Sequence, residues 1–229
     1  MKKEIWDDYS LIFPLNDIKM VFSNKQADIK KPSDLIGFSD LVGLNSDNII
    51  NINQIHSSNV IMVETPGDYN AADGIINEGG NLICSIKVAD CLPIYFVNNN
   101  TKTIGLVHAG WRGLSQGIIN KFADNINKYY ENTSDYYALI GPSIQSCCFE
   151  IKDDVLSFFD SRFYKQIGHN KYKVNLQEWA LNQLMDVGIA KKNISVINKC
   201  TYCLDTIYHS YRRSGSATGR MYALLGWSN

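Results

Sequence analysis

The segment NLICSIKVADCLPIYFV, residues 81 to 97, limits the possible folds more than any other stretch of the chain. It holds two apolar runs on either side of Ala89-Asp90-Cys91. Short apolar runs of this kind, separated by a break, read as buried strands flanking a bend. TIGLVHA repeats the signature between the polar NNNTK and Gly110, YYALIGPS reads as a strand that stops at Gly-Pro, and KNISVINKCTYC is strand-like. Two helical periodicities lie among them. In GLSQGIINKFADNINKYY, Leu114, Ile118, Ile119, Phe122 and Ile126 share one face of a helix starting near Gly113 to Ser115. In VNLQEWALNQLMDVGI, Leu176, Ala180, Leu184 and Val187 point inward. The most polar region, roughly residues 23 to 53, reads as loops with short elements, and YHSYRRSGSATGR as a polar C-terminal loop. Strands and helices mix without strict alternation. This predicts an α+β (mixed α/β) fold, a sandwich of mixed β-sheets with helices against it.

The 229 residues suit one globular domain, or two small ones sharing a core. Charges nearly cancel at −1, so a nucleic-acid partner, which usually demands a basic excess, is not expected. MKKEIWDDYSLIFPL breaks its apolar run with acids and Pro14, unlike a signal peptide. No window reaches the roughly 18 apolar residues of a membrane span. The expected setting is cytoplasmic and without a membrane partner. There the six cysteines serve as core residues, metal ligands or nucleophiles rather than as disulfides.

GLVHAGWRG, residues 105 to 113, then stands out. Its strand ends on His108 and a helix follows, a junction at which rigid scaffolds present chemistry. Arg112 sits beside the helix start, where free N–H groups already favour anions. His56, in NINQIHSSNV, also lies at the edge of an element, and Cys91 lies between two buried runs. Two imidazoles and one thiolate match a catalytic zinc site with its fourth position open. The same trio also reads as a Cys–His nucleophile pair, with Asp90 placed to orient a histidine. Cys200-Thr-Tyr-Cys203 is a lone CxxC and Cys147-Cys148 a poor chelating pair, so these four thiols read as buried residues near a pocket. Tyr211-Arg212-Arg213 and Arg220 read as a solvated loop, an anion clamp or a lid.

NQIH, ADGII, ADCLPI, GLVHAGWRGL, GPSIQSCCFEI and CTYC…SYRRSGSATGR occur in the order and rough spacing of one known family. The chain, over about residues 50 to 227, resembles the multicopper polyphenol oxidoreductase (laccase-like) family. Its members are also described as purine nucleoside phosphorylases, and some as peptidoglycan editing factors. The resemblance implies one domain over residues 1–229 and a metal, usually zinc, held by the residues that are here His56, Cys91 and His108. Copper is the alternative ion, since it binds such ligands more tightly and availability decides. The implied activity is phosphorolysis of adenosine, inosine and S-methyl-5′-thioadenosine, with deamination of adenosine, so the implied partners are a small-molecule nucleoside and phosphate. Arg112, Lys25 and Arg213 are the expected phosphate or substrate contacts, and Glu150 and Asp73 the candidate proton shuttles. Three departures from the family pattern are visible. Phe22-Ser23-Asn24-Lys25-Gln26-Ala27 stands where Thr-Arg and Gly-Gly are usual, SDNIININ shortens the segment before QxH, and Ser57 replaces a glycine. A lysine at position 25 cannot reproduce the bidentate contact of an arginine. Multicopper oxidation needs far more imidazole ligands than the four histidines His56, His108, His169 and His209. An amide hydrolase acting on cell-wall precursors, through Cys91 or an activated water, is the competing class.

Overall fold

The computed structural model describes residues 5–128 and 132–228. Two six-stranded sheets stack face to face. The first runs Trp6–Asp8, Ile18–Ser23, Met221–Trp227, Ile83–Val88, Ile49–Ile52, Gly67–Tyr69. The second runs Ile194–Val196, Tyr137–Ile140, Leu92–Val97, Ile104–Ala109, Gly74–Asn77, Val60–Met62. Both mix parallel and antiparallel pairs. A small antiparallel sheet of Glu150–Ile151, Lys171–Val174 and Tyr164–Gly168 lies apart from them.

Each of the two large sheets is covered on both faces, which is why its central strands read as continuous apolar strings rather than alternating ones. Along Leu92–Val97 the period of two separates the cores. Leu92, Ile94 and Phe96 face the helices Ile118–Lys128 and Leu176–Asp186, while Tyr95 and Val97 face the other sheet. Met20, Phe22, Ile50, Ile86 and Leu225 meet them from that sheet. The first sheet's outer face packs Val21, Ile83 and Leu224 against Leu35 and Phe38 of the helix Pro32–Leu41. The order of layers is helix, sheet, sheet, helices: a mixed α/β fold.

The strand pair around the Ala89-Asp90-Cys91 bend forms as the apolar runs predict. The helix expected from Gly113 onward begins earlier and is split into Trp111–Ser115 and Ile118–Lys128. Gly117, at φ +75°, takes the left-handed turn that parts them. Leu114, Ile118, Ile119, Phe122 and Ile126 nevertheless enter one core cluster. Residues 23 to 53 are more ordered than their polarity suggests, because Pro32–Leu41 is a ten-residue helix. Pro32 opens it, and the Asp34 carboxylate accepts from the Lys30 and Lys31 N–H groups. The C-terminal stretch read as loop contains a short helix, Tyr211–Ser214, ahead of the strand Met221–Trp227. That strand bridges Ile18–Ser23 and Ile83–Val88, so the first sheet needs both ends of the chain. Among the described residues no helix is long and apolar enough to cross a membrane.

Candidate metal centre and cleft

Antiparallel register builds the site. Leu92 pairs with Ala109 and Pro93 with His108, so Cys91, one residue before its strand, lies opposite the end of the histidine strand. His56 arrives on the loop between Ile49–Ile52 and Val60–Met62, at φ +59°, a strained conformation for a residue with a side chain. One ligand atom from each of His56, Cys91 and His108 lies within 4.8 Å of the others. His108 is buried, Cys91 half-buried and His56 exposed. The histidine rings meet edge to face at 4.9 Å. Gly110 leaves the space they need, because a Cβ there would lie 3.0 Å from Cys91 Sγ and 3.5 Å from His56 Cδ2.

Asp73, fully buried, organises the trio. His108 Nδ1 lies 2.8 Å from its Oδ1, and His56 N–H donates to the same oxygen at 3.0 Å. Its Oδ2 accepts from the N–H groups of Ile55 and Ser57 and from the Ser57 hydroxyl, at 3.2, 2.6 and 2.8 Å. One carboxylate thus fixes one histidine ring directly and the loop that carries the other. Burial raises its pKa, but the bonds from His108 and Ser57 outweigh this and hold it at about 2. Burial also pushes the Cys91 thiol up, and the neighbouring imidazoles of His108 and His56 more than reverse it, leaving it at about 6. For His108 burial favours the neutral ring, while Cys91 and Asp73 together raise its pKa to about 9. Both shifts favour the charged forms, thiolate at Cys91 and imidazolium at His108, with the Asp73 carboxylate behind them.

Two imidazoles, one thiol poised to ionise, a ring orientation fixed by a carboxylate and an exposed edge on His56 suit a divalent ion that takes nitrogen and sulfur ligands. They do not suit several copper ions. His169 sits in the turn between Tyr164–Gly168 and Lys171–Val174, and His209 packs on Gly219, so neither is in the trio's ligand cluster.

The trio lies in a cleft of about 900 Å³. Its wall carries four cations, Lys87, Arg112, Arg212 and Arg220, and three aromatic rings, Trp111, Phe149 and Tyr211. The Arg112 guanidinium stacks on Trp111 at 4.3 Å, and that of Arg212 on Phe149 at 5.1 Å. Asp90 is the one acidic side chain among the described lining residues. It accepts from Thr201 Oγ1, Ser210 Oγ and the Arg212 N–H at 2.6, 3.0 and 2.7 Å.

Other expected residues lie elsewhere. Arg213 points away from the cleft, donating to the carbonyls of Thr201, Tyr202 and Tyr208 at 3.1, 2.8 and 2.7 Å. Lys25 Nζ donates to the Asp205 carbonyl and does not line the cleft. Their neighbours Arg212 and Arg220 take the cleft wall instead. The histidine is oriented by Asp73 rather than by Asp90 next to the cysteine. Glu150 pairs with Lys171 at 3.7 Å, outside the lining. Lys87 escaped the sequence reading because it belongs to no motif, and Gln54 because the QxH motif was read only for its histidine. The four thiols expected as buried residues near a pocket are not buried singly: Cys147, Cys148, Cys200 and Cys203 bring their sulfurs within 4.8 Å of one another, with Cys147 and Cys203 exposed.

Several curated proteins resemble this chain. Purine nucleoside phosphorylase YlmD of Geobacillus stearothermophilus is 32% identical over 162 residues, 67% of this chain and 59% of that protein. The YlmD protein of Bacillus subtilis is 32% identical over 163 residues, again 59% of its length. The match therefore spans less than two thirds of these relatives. A protein of Borreliella burgdorferi named purine nucleoside phosphorylase is 28% identical over 227 residues, 92% of each chain. Among solved structures, YlmD of Geobacillus stearothermophilus superposes with a TM-score of 0.88 over 94% of both chains at 23% identity. A Neisseria meningitidis protein does so at 0.84, over 99% of this chain and all of that one, at 24% identity. The family described as multi-copper polyphenol oxidoreductase laccase matches residues 23–228. With that span covering nearly the whole sandwich and both strands that present the trio, the chain belongs to the multi-copper polyphenol oxidoreductase laccase family.

Proposed function

We propose that this protein is a purine nucleoside phosphorylase whose reaction takes place in the cleft. The observation that carries the reading is the joining of four cations and three aromatic rings on one wall system around the His56–Cys91–His108 trio. Phosphorolysis needs an anion held against the ribose and a base held by its faces. Arg112 and Arg220 offer the charge for phosphate, as a planar fork does for a dianion. Trp111, Phe149 and Tyr211 offer faces on which a purine stacks. A phosphate oxygen attacks C1′, the C1′–N9 bond breaks, and its electron pair stays on the base, which takes up a proton. The products are ribose 1-phosphate and the free purine. The names of the relatives in Geobacillus, Bacillus and Borreliella support this reading.

Deamination of adenosine is a finer possibility of the same cleft. His56, Cys91 and His108 would hold a zinc ion, which would supply Lewis acidity and activate water at neutral pH. The reaction also needs an acid–base side chain near the purine. Asp73 is buried behind His108, and Asp90 is committed to three donors, so the described lining favours phosphorolysis over deamination.

A second reading has its own observation. Cys91, His108 and Asp73 form a chain of thiol, imidazole and carboxylate, the arrangement that activates a cysteine nucleophile. This supports an amide hydrolase, the class an editing role on cell-wall precursors would need.

One experiment separates them. Incubate the protein with adenosine, inosine or S-methyl-5′-thioadenosine, with and without phosphate. Ribose 1-phosphate that appears only with phosphate is the expected result. Inosine from adenosine without phosphate adds the deaminase. Neither product from any nucleoside, with zinc bound, sinks the proposal, and cleavage of an amide substrate by the metal-free protein supports the cysteine hydrolase.

A further inference from the structure

Two turns far apart in sequence place four thiols together. Cys147 and Cys148 lie in the turn that follows the strand Tyr137–Ile140. Cys200 and Cys203 lie in the turn that follows Ile194–Val196. The backbone locks the two turns in register: Ser143 bridges Cys200, and the Thr201 N–H donates to the Ser143 carbonyl at 3.1 Å. Cys203 Sγ stands 3.7 Å from Cys147 Sγ and 3.2 Å from Cys148 Sγ. A disulfide needs about 2.05 Å. Four sulfurs about 2.3 Å from a central zinc stand roughly 3.8 Å apart along the edges of the tetrahedron. The two edges above fall at or below that length and all four sulfurs lie within 4.8 Å of one another, so the shorter edge would open by about 0.6 Å to seat the ion.

We propose that Cys147, Cys148, Cys200 and Cys203 bind a structural zinc ion, separate from the trio. The ligand set is closed, four sulfurs with no open position, which marks a structural rather than a catalytic site. The Gln145 N–H points at Cys200 Sγ at 3.5 Å, a contact that steadies a metal thiolate. On binding, the thiols release their protons to solvent and four S–Zn bonds form, with no oxidation of sulfur.

The position gives the ion a task. The Ile144 N–H donates to the Asp90 carbonyl at 2.9 Å, and Thr201 Oγ1 to the Asp90 carboxylate at 2.6 Å. Both turns that the ion would join therefore grip the bend that presents Cys91. Asp90 itself sits at φ +89°, a backbone state that needs such support. The ion staples the two turns to each other through their exposed ends at Cys147 and Cys203 and so holds the cleft wall in place. This inference stands independently of the reaction proposed above.

The test is metal content of the purified full-length protein. Two zinc ions per chain are expected. Cys203→Ser and His56→Ala should each hold one, and the double variant none. Cobalt added to the metal-free wild type should give the intense visible bands and thiolate charge transfer of a tetrahedral tetrathiolate site, kept in His56→Ala and lost in Cys203→Ser. The cobalt spectrum of the wild type decides the matter even where Cys203→Ser does not fold. One zinc per chain, lost in His56→Ala and kept in Cys203→Ser, overturns the proposal while leaving the trio intact. So does iron in place of zinc, or an intact mass showing disulfides among the four cysteines. Loss of one ion in Cys203→Ser with none lost in His56→Ala sustains this site and removes the metal from the other.

Discussion

Replacing Asp73 with Asn is the sharpest probe of how the site is held. The carboxylate gathers five donors, two on Oδ1 and three on Oδ2. Whichever oxygen becomes NH₂, at least two of these donors then face another donor. A hydrogen bond to a charged group contributes about 1.5–3 kcal/mol, so two lost bonds cost roughly 3–6 kcal/mol. A second route gives the same scale. Its pKa of about 2 against the ordinary 3.8 corresponds to roughly 2 kcal/mol, before any donor is left facing a donor. The folded-state value is the lower one, so this stabilisation is present above about pH 4 and is lost as the pH falls through about 2. Urea unfolding of both proteins in excess chelator is the assay, since bound metal would otherwise add to the apparent stability. Asp73→Asn should be about 3–6 kcal/mol less stable at pH 7, with the gap narrowing as the pH falls from about 4 toward 2. A variant within about 1 kcal/mol of wild type at pH 7, less than a single hydrogen bond to a charged group contributes, would show that the loop of His56 and the ring of His108 are fixed by something else.

Gly110→Ala should keep the fold but weaken zinc at the trio by about tenfold or more, the scale of other changes beside metal ligands, because its Cβ would crowd Cys91 Sγ at 3.0 Å; chelator competition measures it. Arg112→Ala and Arg220→Ala should raise the KM for phosphate in the phosphorolysis assay, while Arg213→Ala should leave KM near wild type and lower Tm, since its guanidinium serves three backbone carbonyls. Gly105→Ala should destabilise by about 1–3 kcal/mol or more through overpacking, its Cβ meeting Phe122 Cε2 at 2.3 Å in the helix-facing core; thermal unfolding reads this directly.

Local sequence determined the elements whose burial is two-sided. The runs around Ala89-Asp90-Cys91, the strand into His108 and the helix faces of Phe122 and Leu184 are legible because each apolar position must be taken out of water whatever its partner. Motif resemblance carried His56, Cys91 and His108 to one another across more than 50 residues, which spacing could not do. Sequence also held signals that went unused: Pro32 with Asp34 marks a helix start, and an apolar Met221–Trp227 after Gly219 marks a strand.

Register, direction and company were decided by the tertiary structure. Nothing in TGR or YRR tells which arginine turns toward the cleft, because that depends on the short helix Tyr211–Ser214 and on which carbonyls lie within reach of each guanidinium. Nothing near Asp73 announces that it lies behind His108, since their contact follows from the pairing of Gly74 with Val107 in neighbouring strands. The two cysteine pairs are 52 residues apart from Cys148 to Cys200 and look incomplete one by one. They meet because two parallel strands, Tyr137–Ile140 and Ile194–Val196, end at the same edge of one sheet. Hydrophobic burial acts on each residue by itself and can be read along the chain; hydrogen bonds and ligand spheres depend on direction and on a second residue, and only the folded backbone supplies both.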